Sequence, residues 1–141
     1  MKRIFLLFFI LSTVLLSCKK DSNSSGITTA NVTATVATGS WRVTYYWDTD
    51  HEETSNFTNY TFVFSGNGTV TATKDATVVN GTWTTRNDDS TIKLVLAFTT
   101  SANFIKISED WQVVERTDTK IKLQDVSGGN GGTDYLTFEK N

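Results

Sequence analysis

The residues of this chain that could do chemistry are few, and most of them fall in one segment. The single histidine, His51, stands in Asp48-Thr49-Asp50-His51-Glu52-Glu53, which offers imidazole and carboxylate ligands. Adjacent side chains in extended backbone point opposite ways, so several ligands from this segment would require a wrapped turn. No second histidine assists, and the acid spacing and glycine of a calcium loop are missing. The expectation is a solvated acidic loop without a metal. A Ser-His-Asp relay would depend on the same histidine, and the chain has no nucleophile elbow. Glu109, Asp110 and Glu115 could supply carboxylates for glycoside chemistry, but nothing in their spacing singles out a pair. The glycines of residues 128–132 precede neither a helix nor a Gly-Lys-Ser/Thr, so they are not a phosphate loop. The chain is therefore expected to be no enzyme and to use no cofactor.

One reactive group remains, the thiol of Cys18, the only cysteine. It ends Leu15-Leu16-Ser17-Cys18, behind a charged start (Lys2, Arg3) and an apolar stretch from Ile4 to Leu16. These are the parts of a secretory signal. The stretch is shorter than the roughly 20 residues that cross a bilayer, and an Ala-x-Ala-like cut is absent. The ending resembles the lipobox of bacterial lipoproteins. That resemblance implies a diacylglyceryl group on Cys18, cleavage before it and, as a rule, acylation of the new amine. Two buried chains, at about 0.8 kcal/mol per methylene, give stable anchoring. The implied address is the cell envelope, at the outer membrane, periplasmic or surface-exposed, with the membrane as a partner. Lys19-Lys20-Asp21 also partly resembles the signal that sends some Bacteroidetes lipoproteins to the outer face.

The organisation that follows is a signal over residues 1–17, a lipidated cysteine with a flexible tether over 18–38, and one domain over 39–141. The tether reading covers most of a run of Lys, Asp, Ser, Asn, Thr, Ala and Val without aromatics, too polar to offset the entropy of ordering. The alternative is that Val32 to Val36 forms an extra strand or packs on the domain. Losing Lys2 and Arg3 makes the mature chain more acidic than the formal balance of −2. A basic stripe with interleaved aromatics is missing, so nucleic acid is not an expected partner. With Cys18 lipidated, no disulfide can form within the chain, and packing and sheet hydrogen bonds must supply stability.

From Gly39 the pattern is all-β. Proline is absent, and threonine and aromatics suit half-buried pleated surfaces. Trp41, Val43, Tyr45 and Trp47 alternate with Arg42, Thr44, Tyr46 and Asp48. Tyr60, Phe62 and Phe64 repeat the period, and Ser65-Gly66-Asn67-Gly68 turns the chain. Further runs begin at Thr82, Ile92, Trp111, Ile121 and Tyr135, and Ala102 to Ile107 is a helix, a bend or a strand extension. Short turns predict an antiparallel up-and-down meander of about eight strands, closed into a barrel that leaves no edges. A β-sandwich is the alternative, and would need a long return connection between Phe98 and Trp111.

Gly39-Ser40-Trp41 is similar to the Gly-x-Trp that opens the first strand of lipocalins. The ordered set that follows resembles small bacterial lipocalin-like domains: Phe62 to Thr69, Gly81-Thr82-Trp83, Trp111 with Lys122-Leu123, and Leu136 to Lys140. The resemblance covers about residues 39–140. It implies that Gly39 and Trp41 close the barrel floor and that Lys140, where the family more often has Arg, packs over the Trp41 ring.

The period then places Tyr45, Trp47, Tyr60, Phe62, Phe64, Leu94, Leu96, Phe98 and Trp111 on the inner face. Such a barrel either holds one small ligand or fills itself with side chains. The first reading makes these residues a calyx for a small apolar ligand. The second makes them a core, with a protein or glycan partner met by exposed rim aromatics such as Tyr46 and Phe57. Val95 and Ala97 make the outer face of the Ile92–Phe98 run apolar too, which points to a cover from Ala102 to Ile107, the tether or another subunit, with an intramolecular cover as the default.

Overall fold

The computed structural model describes residues 26–127 and 131–141. The signal, Cys18 and the tether as far as residue 25 lie outside the described residues, as do residues 128–130 of the glycine loop. Helix α1 (Thr29–Val36) leads into β1 (Trp41–Asp48), the short β2 (His51–Glu52) and a single 3-10 turn at Thr54–Phe57. Then come β3 (Thr61–Phe64), β4 (Thr69–Lys74), β5 (Thr77–Asp88) and β6 (Thr91–Phe98). Helix α2 (Ala102–Lys106) precedes β7 (Asp110–Arg116), β8 (Lys120–Val126) and β9 (Thr133–Lys140). All pairings are antiparallel between sequence neighbours, and β9 returns to β1. The result is the expected closed barrel of eight strands, with β2 as one extra strand outside β1. The stretch between Phe98 and Trp111 carries no Greek-key return, so the sandwich is ruled out.

Closure is uneven. Strands β1 and β3 pair only at Trp41 and Phe62. Above that point the 3-10 turn takes over the edge of β1: Tyr46 N donates to Thr54 Oγ1 at 2.8 Å, and Glu53 N donates to Tyr46 O at 2.9 Å. Both backbone groups of Tyr46 are thereby satisfied where β3 has diverged. Two β-bulges interrupt the ladders, one between Val43 and Tyr45 on β1 and one between Val113 and Glu115 on β7. Each inserts one residue, Thr44 or Val114, and resets the alternation beyond it.

The tether reading fails in its second half, because residues 29–36 are helical and belong to the barrel. Thr28 caps the helix, its Oγ1 accepting from Asn31 N at 3.2 Å. Val32 and Val36, one helical turn apart, are buried against the lower end of the barrel. Trp41 Nε1 donates to Val36 O at 2.9 Å, and Arg116 Nε donates to Thr35 Oγ1 at 2.6 Å. A polar sequence of this length would not hold a helix in water, but docking two valines on a preformed floor does. The opposite end is closed by α2 and the 3-10 turn, which bury Phe104, Ile107 and Phe57.

Candidate functional site

The interior is built from the inward residues of every barrel strand. Phe62, Phe64, Leu94, Leu96, Phe98 and Trp111 all face inward and are buried, as the period requires. Tyr60 sits at the upper edge, partly buried against the core, with Lys74 Nζ 5.6 Å from its ring centre. Tyr45 and Trp47 do not line the interior. The bulge at Thr44 flips the phase, so Tyr46 points inward opposite Leu136 while Tyr45 and Trp47 turn outward opposite Thr137 and Tyr135.

Tyr46 and Phe57 are accordingly not rim aromatics, for each is only 1% exposed. Phe57 is swallowed because the 3-10 turn drops it into the gap between β1 and β3. Tyr46 meets it edge to face at 5.6 Å, and its hydroxyl donates to Lys106 O at 3.3 Å. Burial, joined by the nearby Asp48, Asp134, Glu53 and Glu109 carboxylates, pushes that hydroxyl's pKa well above its ordinary value.

Phe104 completes the filling. Carried inward by α2, it meets Phe57, Tyr60, Phe62 and Phe98 with ring centres 5.0–5.8 Å apart. Ser108 fixes this geometry, its Oγ accepting from Phe98 N at 2.8 Å and lying 2.8 Å from Phe104 O. Phe62, Leu94 and Trp111 expose no surface at all, so no water-sized space adjoins them. The inner face is a packed core. The outer side of β6 is not covered as expected, since α2 turns into the barrel end and leaves Ala97 exposed.

At the floor the structure brings Gly39, Trp41 and Lys140 together. Gly39 adopts a φ of +78°, which favours glycine, and lies under the Lys140 stem. Lys140 Nζ sits 5.1 Å from the Trp41 ring centre. This constellation closes the barrel.

The acidic loop around His51 works as a latch. Lys106 Nζ donates to Glu53 Oε1 at 2.6 Å and to Asp48 Oδ2 at 3.0 Å, tying α2 to the end of β1. His51 bonds Glu53 Oε1 through Nε2 at 2.8 Å and Asp50 through Nδ1. These two bonds raise the histidine pKa, while the Lys106 contact and then His51 hold the Glu53 carboxyl below its ordinary range. Glu109 is pushed up by burial and by Asp125, Asp110 and Asp134. Among the described residues no three His, Cys, Asp or Glu side chains assemble as a metal site.

A further concavity lies on the outside, across β7, β8, β9 and β1. It is a groove of about 490 Å³ lined mainly by apolar atoms of Tyr45, Val114, Leu123 and Tyr135, with Thr137 between the tyrosines. Tyr45, Val114 and Tyr135 are 37%, 40% and 41% exposed, while Thr137 is almost covered. Both bulge residues, Thr44 and Val114, open this groove. Periodicity could not find it, because both bulges break the phase. The one available signal was Tyr135, an aromatic out of step with the inward Leu136 and Phe138.

The chain matches no protein-family model, and no curated protein matches it. Its fold is similar to that of a DUF4847 family protein from Bacteroides vulgatus ATCC 8482. That match has a TM-score of 0.52 at 16% identity, covering 78% of this chain and 97% of the other. An uncharacterized protein from Bacteroides eggerthii DSM 20697 aligns with a TM-score of 0.45 at 19% identity, over 73% and 98% of the two chains. At this identity the first likeness is one of fold: the barrel is shared with a Bacteroides protein.

Proposed function

We propose that this protein is a lipid-anchored envelope protein whose barrel is a non-catalytic interaction module, meeting its partner on its outer surface. The observation that carries the reading is the filled interior. Phe104, Phe57 and Tyr46 occupy the upper half, and Trp41, Val32 and Val36 seal the lower one. A small apolar ligand would have to displace these rings, each aromatic pair contributing about 0.5–1.5 kcal/mol beyond its burial. The anchoring part rests on Leu15-Leu16-Ser17-Cys18 behind its charged and apolar leader. Lipid on Cys18 would hold α1, which begins at Thr29, close to the membrane, and so present the barrel at the outer membrane.

Native mass spectrometry of the protein purified from its own envelope tests both parts. The expected result is a chain starting at Cys18, heavier by the acyl groups and free of any retained apolar molecule. An unmodified full-length mass contradicts the anchor, and a stoichiometric apolar ligand contradicts the filled module.

A further inference from the structure

We infer that the wall formed by the outer faces of β7, β8, β9 and β1 rests on the phospholipid bilayer that holds the Cys18 anchor. Tyr45, Val114, Val126 and Tyr135 enter the bilayer interface. The inference deepens the reading of a lipid-anchored, outward-facing module by naming the surface it meets, and it rests on that reading.

The apolar surface is concentrated on this wall. Of the large apolar side chains left exposed among the described residues, half stand here: Tyr45, Val114, Val126 and Tyr135. The ladders set them in neighbouring rows. Tyr45 lies beside Thr137 and Lys122, Trp47 beside Tyr135 and Gln124, and Val126 beside Thr133. The slip at Thr44 turns Tyr45 and Trp47 outward into these rows, and the slip on β7 adds Val114. The groove between the tyrosines, about 490 Å³ and lined mainly by apolar atoms, suits acyl carbon better than a polar headgroup. Tyrosine and tryptophan, apolar in the body and polar at the tip, favour the level where acyl chains meet headgroups.

Charge separates this wall from the rest of the surface. The described residues carry nine basic and fourteen acidic side chains. The wall holds three of the bases, Arg42, Lys120 and Lys122, against two of the acids, Glu115 and Glu139. It therefore has one surplus cation, while six bases face twelve acids elsewhere. Asp110, at the edge of β7, is held by Arg86 on the side away from the groove. A negative or zwitterionic lipid surface repels the acidic faces and accepts this one. Arg42, Glu139 and Lys120 form the row nearest the floor. The long stems of Arg42 and Lys120 let their charges reach lipid phosphates while the rows above lie deeper.

The anchor reaches far enough. Ten residues separate Cys18 from Thr29, where α1 begins, and ten residues span at most about 35 Å. An eight-residue strand such as β9 is roughly 27 Å long. The helix that follows the tether is fastened beside this wall, through Arg116 of β7 to Thr35 and Trp41 of β1 to Val36. The barrel can thus lie with the whole length of the wall against the bilayer.

Trp47 is the reporter. Trp41, Trp83 and Trp111 are buried, and Trp47 alone of the four tryptophans is partly exposed. The test places the mature, lipid-bearing chain in phosphatidylcholine vesicles, with and without phosphatidylglycerol, whose acyl chains are brominated near the headgroup. Bromine quenches indole emission at contact range, and co-flotation with the vesicles reports the anchor separately. Quenching relative to unbrominated vesicles is expected in both compositions and should be lost in Trp47→Phe. It should also be lost when Tyr45→Glu and Tyr135→Glu are combined. Val126→Glu alters a side chain already 64% exposed, so it spares the fold and should weaken the quenching. Val63→Glu and Val78→Glu, exposed on other walls, should leave it unchanged. Circular dichroism confirms that each variant folds.

A chain that floats with the vesicles but shows no quenching overturns the inference and leaves the anchor standing. Quenching that persists in the double tyrosine variant overturns it as well, as does quenching that disappears once phosphatidylglycerol is present. A dimer dissolved by Tyr135→Glu, found in place of quenching, assigns the wall to a second copy and overturns it too. A chain that fails to float is the separate result that brings down the anchor reading, and the inference with it.

Discussion

Phe104 on α2 and Phe98 on β6 meet edge to face with ring centres 5.0 Å apart, inside the barrel. One ring belongs to the wall and the other to a five-residue helix at its mouth, so the helix works as a stopper. Helix α2 has no side-chain cap, and its N-cap residue Ser101 adopts a φ of 68°. Such a helix persists through Phe104 and the Ser108 and Lys106 contacts rather than through its own hydrogen bonds. Phe104→Ala is expected to cost about 3–5 kcal/mol, the usual range for emptying a buried Phe site. Urea unfolding followed by tryptophan fluorescence reads the loss.

The floor contact is weaker and separable. Lys140 Nζ over the Trp41 ring is a partly exposed cation–π pair, in the class that contributes about 0.5–1 kcal/mol. Lys140→Met, which keeps the stem over Gly39, should lose about that much in denaturant titration. Lys140→Arg should lose nothing or gain slightly, since a planar guanidinium stacks better on an indole.

Two glycines should respond unequally to the same substitution. A methyl group on Gly81 would lie 2.5 Å from Phe98 Cδ1 and 2.6 Å from Ala97 O, whereas Gly66 has open space around it. Gly81→Ala should destabilise by about 1–3 kcal/mol, as overpacking does. Gly66→Ala should leave the melting temperature nearly unchanged.

The latch predicts a pH dependence. The folded-state pKa of His51 lies above its ordinary 6.5, through Asp50 and Glu53. Its stabilising share is therefore complete below pH 6.5 and lost as pH rises through the raised folded value. Glu53, held below its ordinary 4.5 by Lys106 and His51, contributes above pH 4.5 and loses its share as pH falls through the lowered value. Thermal melts should show a decline on the alkaline side that His51→Gln abolishes. The acid-side decline should become smaller in Glu53→Gln.

Much of this was legible in the residues. Period-two runs joined by short turns specify a closed meander, and Phe62, Phe64, Leu94, Leu96, Phe98 and Trp111 stand on the face that alternation assigns. The Gly39, Trp41 and Lys140 set was readable only through the family resemblance, and the β1–β9 ladder brings its members together.

Three features were not legible. In β1 both faces of Trp41–Trp47 carry aromatics, so nothing in the pattern announces a one-residue slip at Thr44 that exchanges Tyr45 for Tyr46. Helix α1 is rich in threonine and valine, poor helix formers, and it exists because Val32 and Val36 find a floor assembled from distant strands. Phe57 reads as a loop aromatic because the gap it fills arises only where β1 and β3 diverge. The outer groove shares this cause, since it takes two bulges on strands far apart in sequence to make it.

The central claim, that the barrel is filled by its own rings and works from its outside, is tested most directly by titrating N-phenyl-1-naphthylamine into the wild-type chain. The account predicts no saturable fluorescence rise, because the packed rings leave the probe no room. Saturable uptake by the wild-type chain, displaced by extracted envelope lipids, would contradict it.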